Sequence, residues 1–185
     1  MNGFKTDLTK KILGLNPHIV IQPNSFKIDE NFINKLREEF EEIALSKTYS
    51  GEGIILSSEN AKGVILKGVN KSEKNTIKFF KDYSTPEALK NFSSNNVLIG
   101  SELAFDLNLK VGDKLNLMSS AFVSTPLGNL PKQENFKVAG IFNTGFLEFD
   151  KNIIFLDIKD ALSIFEKDKE DQNIESKISR TDRKK

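Results

Sequence analysis

The sequence predicts an α+β domain in two parts, and three observations carry that expectation. An amphipathic helical pattern around residues 29–44 lies between short β-branched runs, two strand-like runs at 53–56 and 64–69 are joined by turn residues, and after the polar run 70–75 the chain changes to short strands punctuated by Gly and Pro. Helices that carry one apolar face need a sheet face to cover, and helix–strand–helix–hairpin is a small α+β layer.

In chain order, Phe4, Leu8, Ile12 and Leu15 recur at helical spacing, and Gly14 and Pro17 end the pattern, so a first helix is expected to run to about Leu13. His18–Gln22 (HIVIQ) reads as a short strand closed by Pro23-Asn24. Asp29 is placed to cap the next helix, with Ile28 and Ile33 as a hydrophobic staple and Phe32, Ile33, Leu36, Phe40, Ile43 and Ala44 as its apolar face. Its acids Glu38, Glu39, Glu41 and Glu42 fall mostly on the other side, where they read as a solvated face. Gly53–Leu56 and Val64–Val69 follow as a hairpin.

Beyond residue 70 the expected elements are an amphipathic piece around Ile77–Phe80, a turn at Thr85-Pro86, a short helix Glu87–Phe92 and a strand Val97–Ile99 ended by Gly100. Ser101 is expected to cap a helix holding Leu103, Ala104 and Leu107, and Lys110–Asp113 turns into a strand Lys114–Met118. Phe136–Phe142 and Ile153–Ile158 read as strands, with a helix from Lys159 to Phe165. The stretch 166–185 holds thirteen charged residues and two aliphatics, Ile174 and Ile178, which predicts a disordered tail.

Composition excludes several functions. At 185 residues, 38% hydrophobic and 29% charged, the chain can bury a sizeable core, while a net charge of +1 with interspersed signs argues against nucleic acid as a partner. With no cysteine there are neither disulfides nor thiolate metal sites. The N-terminus has no convincing signal peptide, and no apolar run approaches the roughly 18 residues that span a bilayer. Phosphate-binding loops, HExxH and GxSxG are all missing from the sequence. The one histidine, His18, sits beside Pro17 at a strand entrance and reads as structural. Glu148, Asp150 and Asp157 flank a strand and could form a carboxylate pair of the kind a hydrolase uses, without a spacing that fixes their geometry. No cofactor is implied.

The stretch Met118–Phe136 (MSSAFVSTPLGNLPKQENF) stands apart from its flanks. A hairpin turns in two to five residues, and this excursion is far longer. Its prolines cannot donate to a ladder, so it is an edge or a free arm, and Leu127 and Leu130 on an exposed tip would mark a partner site.

Taken in order, MNGF, KILGLNPHI, GVILKGV, VLIGSELAFDLNLKVGDKLNL, TPLGNLP, FKVAGIFNTGFLEFD and FLDIKDA resemble the periplasmic domain of the lipoprotein-releasing ABC transporter permeases of the LolC/LolE type, over roughly Met1 to Leu162. The resemblance implies a MacB-like periplasmic core: residues 1–70 as the first part of an α/β Porter-like subdomain, 71–165 as an inserted β-rich Sabre-like subdomain bearing a hook hairpin at 119–136, and 166–185 as the tail. It implies an inner-membrane protein with this segment in the periplasm and a transmembrane helix preceding Met1. It also implies no catalysis here, ATP hydrolysis by a separate LolD-like cytoplasmic subunit, a LolE-like second permease subunit and a lipoprotein substrate.

In the LolC-like subunit of that family, a hook with a T-P-x-G-x-x-P core recruits the periplasmic lipoprotein chaperone LolA. Thr125, Pro126, Leu127, Gly128, Asn129, Leu130 and Pro131 match that core, and Gln133 matches a polar position on the descending arm. Two prolines would stiffen the arm and lower the entropy cost of docking. Two departures stand out. Glu134 occupies a position where a basic residue is expected, and after FLDIKDA the chain turns polar where family members add strands and helices, so half of the Porter-like layer is expected to be missing. The alternative reading is a structural ectodomain of another MacB-like permease.

Overall fold

The computed structural model describes Pro17 and residues 19–23, 28–39, 44–56, 60–126 and 128–177. The helix expected up to Leu13, His18, Phe40–Ile43, and residues 178–185 lie outside the described residues. The elements are β1 (Ile19–Ile21), α1 (Glu30–Glu39), β2 (Ala44–Leu56), β3 (Ala61–Val69), α2 (Lys74–Tyr83), α3 (Pro86–Asn91), β4 (Asn96–Gly100), α4 (Ser101–Asp106), β5 (Lys114–Thr125), β6 (Gly128–Phe142), α5 (Leu147–Asn152), β7 (Ile153–Asp157), α6 (Ile158–Ile164), a 3-10 turn (Lys169–Asp171) and β8 (Asn173–Lys177).

All eight described strands join one sheet in the order β1-β8-β2-β3-β7-β4-β6-β5. The last strand, β5, returns to pair with β2, Gly53 opposite Ser119 and Leu56 opposite Asn116, so six strands close a circuit. Each contributes alternate side chains to its interior: Ile55, Leu66, Ile154 and Leu156, Val97 and Ile99, Phe136 and Val138, Leu115 and Leu117. That is the period-2 signature of strands with one face in a core, and each fully buried aliphatic or aromatic side chain contributes about 1.5–3 kcal/mol. Leu103 and Ala104 of α4 and Ala161 and Ile164 of α6 complete this cluster.

Outside the circuit, α2, α3 and α5 cover Leu98, Ala139, Phe142 and Phe155 with Phe79, Phe80, Ala88 and Phe149. Phe79, Phe80, Phe142, Phe149 and Phe155 pack with several centroids 5.0–6.3 Å apart and mostly tilted or edge-on, the arrangement that aromatic quadrupoles favour. A third cluster, Ile28, Ile33 and Ile174, holds α1 against β8 and β2. Here the capping expectation is met: Asp29 Oδ1 accepts from the Phe32 amide at 2.8 Å, and the staple pair Ile28 and Ile33 are both buried.

Several sequence expectations change. Ala44 opens β2 instead of ending the helix, and β2 runs nine residues ahead of the expected Gly53 start, because its N-terminal half is held by β8 and α2 through a polar face, Ser46 and Thr48, with no apolar alternation to reveal it. Ser101 is the first helical residue and not the cap. Gly100 takes the cap position because a Cβ there would lie 1.9 Å from the Asp150 carbonyl, a close approach that only glycine permits. Most consequentially, the tail expected to be disordered contains β8. It lies between β1 and β2, Ile21 opposite Ile174 and Ser46 opposite Glu175, and buries Ile174 completely. Part of the covering expected to be missing from the first half of the chain comes from its C-terminal segment. The strands on either side of residue 71 share one sheet, joined by β3–β7 and β2–β5.

Candidate functional site: the hairpin arm

The excursion between the two expected strands is not a loop. β5 and β6 continue through it as a ladder, Phe122 opposite Pro131, Val123 opposite Leu130, Ser124 opposite Asn129 and Thr125 opposite Gly128. Beyond Ser119 on β5 and before Lys137 on β6, the two strands pair only with each other among the described residues. An isolated two-stranded ribbon tolerates the two prolines because neither strand has a second neighbour to serve.

The turn follows from the residues at the tip. Proline fixes φ near −65°, which closes Pro126 to the primed turns that demand a positive φ at that position. Gly128 supplies the positive φ, +115°, with open space around its missing Cβ. Thr125 Oγ1 donates to the Gly128 carbonyl and Ser124 Oγ to Asn129 Oδ1, both at 2.8 Å, tying the strands together just below the turn.

Of the residues matched to the hook, Pro126, Gly128, Asn129, Leu130 and Gln133 are exposed, Thr125 and Pro131 are half-buried, and Leu127 lies outside the described residues. The ladder adds two that the motif does not contain. Phe122 is 62% exposed and Val123 41%, beside Leu130 at 52%. Cross-strand partners share a face, so Val123 and Leu130 make one apolar pair and Phe122 and Pro131 another on the opposite face. No charged residue occurs from Ser119 to Pro131. Exposed apolar side chains on both faces of a charge-free ribbon have no folding partner and suit contact with another surface.

Charge collects at the root. Lys132 Nζ donates to the Ser163 carbonyl at 2.8 Å, pairs with Glu166, and lies 3.7 Å from Glu134. Ser163 Oγ donates to Glu134 at 3.2 Å, and Ser119 Oγ donates to the Ile164 carbonyl at 2.5 Å. Glu134, expected to be basic by resemblance, is thus engaged in fastening the root to α6.

The three carboxylates near α5 do different work. Asp150, 1% exposed, accepts from the Thr144 amide and hydroxyl and from the Gly145 amide at 2.7–3.1 Å, organising the loop before α5. Asp157 caps α6 through the Lys159 amide at 2.9 Å, and Glu148 lies on the surface beside Asn152. Asp150 is thus occupied by the loop it organises and Asp157 by the cap of α6. Among the described residues no cluster of His, Cys, Asp or Glu is arranged to hold a metal.

No family model matches the chain. It is 26% identical over 184 residues, 97% of its own length, to "Lipoprotein-releasing system transmembrane protein LolC" of Neisseria meningitidis serogroup B, covering 44% of that protein, and 22% identical over 171 residues to the LolC protein of Xylella fastidiosa, covering 91% of this chain and 41% of that one. The chain is a relative of the LolC/LolE-type permeases. A protein named LolE from Haemophilus influenzae is 27% identical over 127 residues, 65% of this chain and 30% of the relative. The chain thus spans about two-fifths of the length of the LolC relatives. Its fold is that of the periplasmic region of MacB from Actinobacillus actinomycetemcomitans (TM-score 0.53, 12% identity, 90% of this chain and 76% of that) and of the extracellular domain of the ABC-type transporter YknZ from Gram-positive bacteria (TM-score 0.51, 12% identity, 88% and 83%). The α+β, MacB-like architecture expected by resemblance is the one observed. No described helix is long and apolar enough to cross a membrane.

Proposed function

We propose that this chain is the periplasmic domain of an inner-membrane, lipoprotein-releasing ABC permease subunit of the LolC-like kind, and that its arm docks the LolA-like periplasmic chaperone that receives the lipoprotein. The domain is noncatalytic in this reading. A LolD-like cytoplasmic ATPase supplies the energy, a LolE-like subunit completes the permease, and residues 1–70 and 71–165 act as Porter-like mount and Sabre-like bearer of the arm. One observation carries the reading: TPLGNLP falls on the turn of an exposed, charge-free ribbon whose apolar side chains are uncovered on both faces. Thr125, Pro126, Leu127, Gly128, Asn129, Leu130, Pro131 and Gln133 form the contact, with Phe122 and Val123 added by register.

The test is calorimetric titration of this domain with the lipoprotein chaperone of the same source, beside a Pro126→Ala/Leu127→Asp variant. Wild-type binding that the variant loses by tenfold or more, about 1.4 kcal/mol, is expected for an apolar anchor at an interface centre. A folded wild-type domain that binds no chaperone overturns the docking role. The MacB and YknZ folds would then favour a structural ectodomain of another MacB-like permease.

A further inference from the structure

The arm joins its base at an irregularity. Met118 pairs with Gln133 and Phe122 with Pro131, so three residues of β5, Ser119 to Ala121, stand opposite one residue of β6, Lys132. Extra residues on one strand interrupt the ladder and bend it. A ribbon continued across such a break, paired to β2 only as far as Ser119, has an angle above it that backbone pairing alone does not set.

Side chains supply the missing constraint. Lys132 reaches the C-terminal end of α6, donating to the Ser163 carbonyl at 2.8 Å and pairing with Glu166, with Glu134 at 3.7 Å. A cation there joins the Glu166 amide on the Ser163 carbonyl and meets the negative end of the helix dipole. The residue beyond the helix adds an independent sign. Glu166 has φ +52°, a conformation in which glycine is usual at a helix C-terminus. A glutamate held in that strained backbone gains a carboxylate within reach of Lys132. With Lys132 removed, Glu134 and Glu166 would face each other without their shared cation.

We propose that Lys132 is the positioning residue of the arm, clamping the break in the ribbon to the end of α6 through Ser163 and Glu166 so that the apolar tip is presented at one angle. This rests on the docking reading above. The clamp acts on the free protein, by raising the fraction of molecules whose arm is set for docking; apparent affinity scales with that fraction.

The test uses the full 185-residue chain as wild type, Lys132→Met, Lys132→Arg and Glu166→Gly, with backbone amide relaxation as the first readout and chaperone titration as the second. In Lys132→Met, the amides of Val123 and Leu130 are expected to drop from rigid order parameters near ~0.85 to below ~0.6 while β4 and β7 stay rigid. Chaperone affinity is expected to fall about three- to tenfold. Lys132→Arg should restore both. Glu166→Gly relieves the backbone strain, so its thermal midpoint should not fall, yet its arm should loosen, a split that a purely stabilising ion pair would not produce. Arm amides in Lys132→Met as ordered as in wild type overturn the proposal. Loosened arm amides in a domain whose wild type binds no chaperone would uphold the clamp and reject the docking function.

Discussion

Strands β5 and β6 each live in two environments. Their lower halves, with Leu115 and Leu117 on β5 and Phe136 and Val138 on β6, face the circuit interior and bury those side chains almost completely. Their upper halves, Phe122 and Val123 opposite Pro131 and Leu130, belong to the same ladder and leave those apolar side chains in solvent. The contrast separates two reasons for an apolar residue to exist. Below the break at Ser119–Ala121 it holds the fold; above, it stays in solvent, where the docking reading gives it a partner surface to meet.

The largest effect expected from that contrast is in the lower half. Leu117→Ala should cost about 2–5 kcal/mol, as a buried leucine does when its cavity cannot collapse, read as a lowered urea midpoint at unchanged slope. Gly128→Ala comes next, at about 1 kcal/mol, because alanine at φ +115° is strained although nothing crowds its Cβ; a thermal melt would show it. Leu130→Ala should stay within about 0.5 kcal/mol of wild type in the same denaturation while weakening chaperone binding. A stability loss there as large as that of Leu117→Ala would erase the distinction between the two halves.

The smallest effect is a control placed in neither half. Burial holds the Glu73 carboxyl above its ordinary 4.5, against hydrogen bonds from the Lys47 amide and Ser46, and its Oε2 has no partner among the described residues. A carboxyl whose native value is raised favours the protonated fold. Stability should therefore rise as pH falls from neutral through that raised value toward 4.5, and Glu73→Gln should remove that part of the slope. A pH-independent melting difference between wild type and Glu73→Gln would show that the burial of the carboxylate has little consequence.

Legibility in the sequence tracked how local the determining forces are. The helix over Glu30–Glu39, with its Asp29 cap and Ile28/Ile33 staple, and the turn at Gly112 depend on neighbours a few residues away and were readable. β8 was not. Glu175 and Lys177 read as solvated charge, yet Glu175 meets Lys67 at 2.8 Å across 108 residues, and Ile174 finds its cluster on elements near the opposite end of the sequence. The N-terminal half of β2 failed for the same reason, Ser46 being held by Asn75 and the Lys47 amide by Glu73, both of a later segment. At the candidate site, TPLGNLP was visible as a motif, whereas Phe122 and Val123 were missed because the expected strand stopped at Met118. Counting back from the turn, 125 to 128 and outward, would have found them.

The placement of β8 also sets an order of events. β1 joins the sheet through β8 alone, since its described pairing is with Ser176, Glu175 and Ile174. A nascent chain that has emerged through Ile164 already carries all six strands of the circuit, α6 included, but its first strand has nowhere to lie. β1 must wait for residues 173–177 to be synthesised before it can settle in this sheet, and that step joins residues more than 150 positions apart, Ile19 with Ser176 and Ile21 with Ile174.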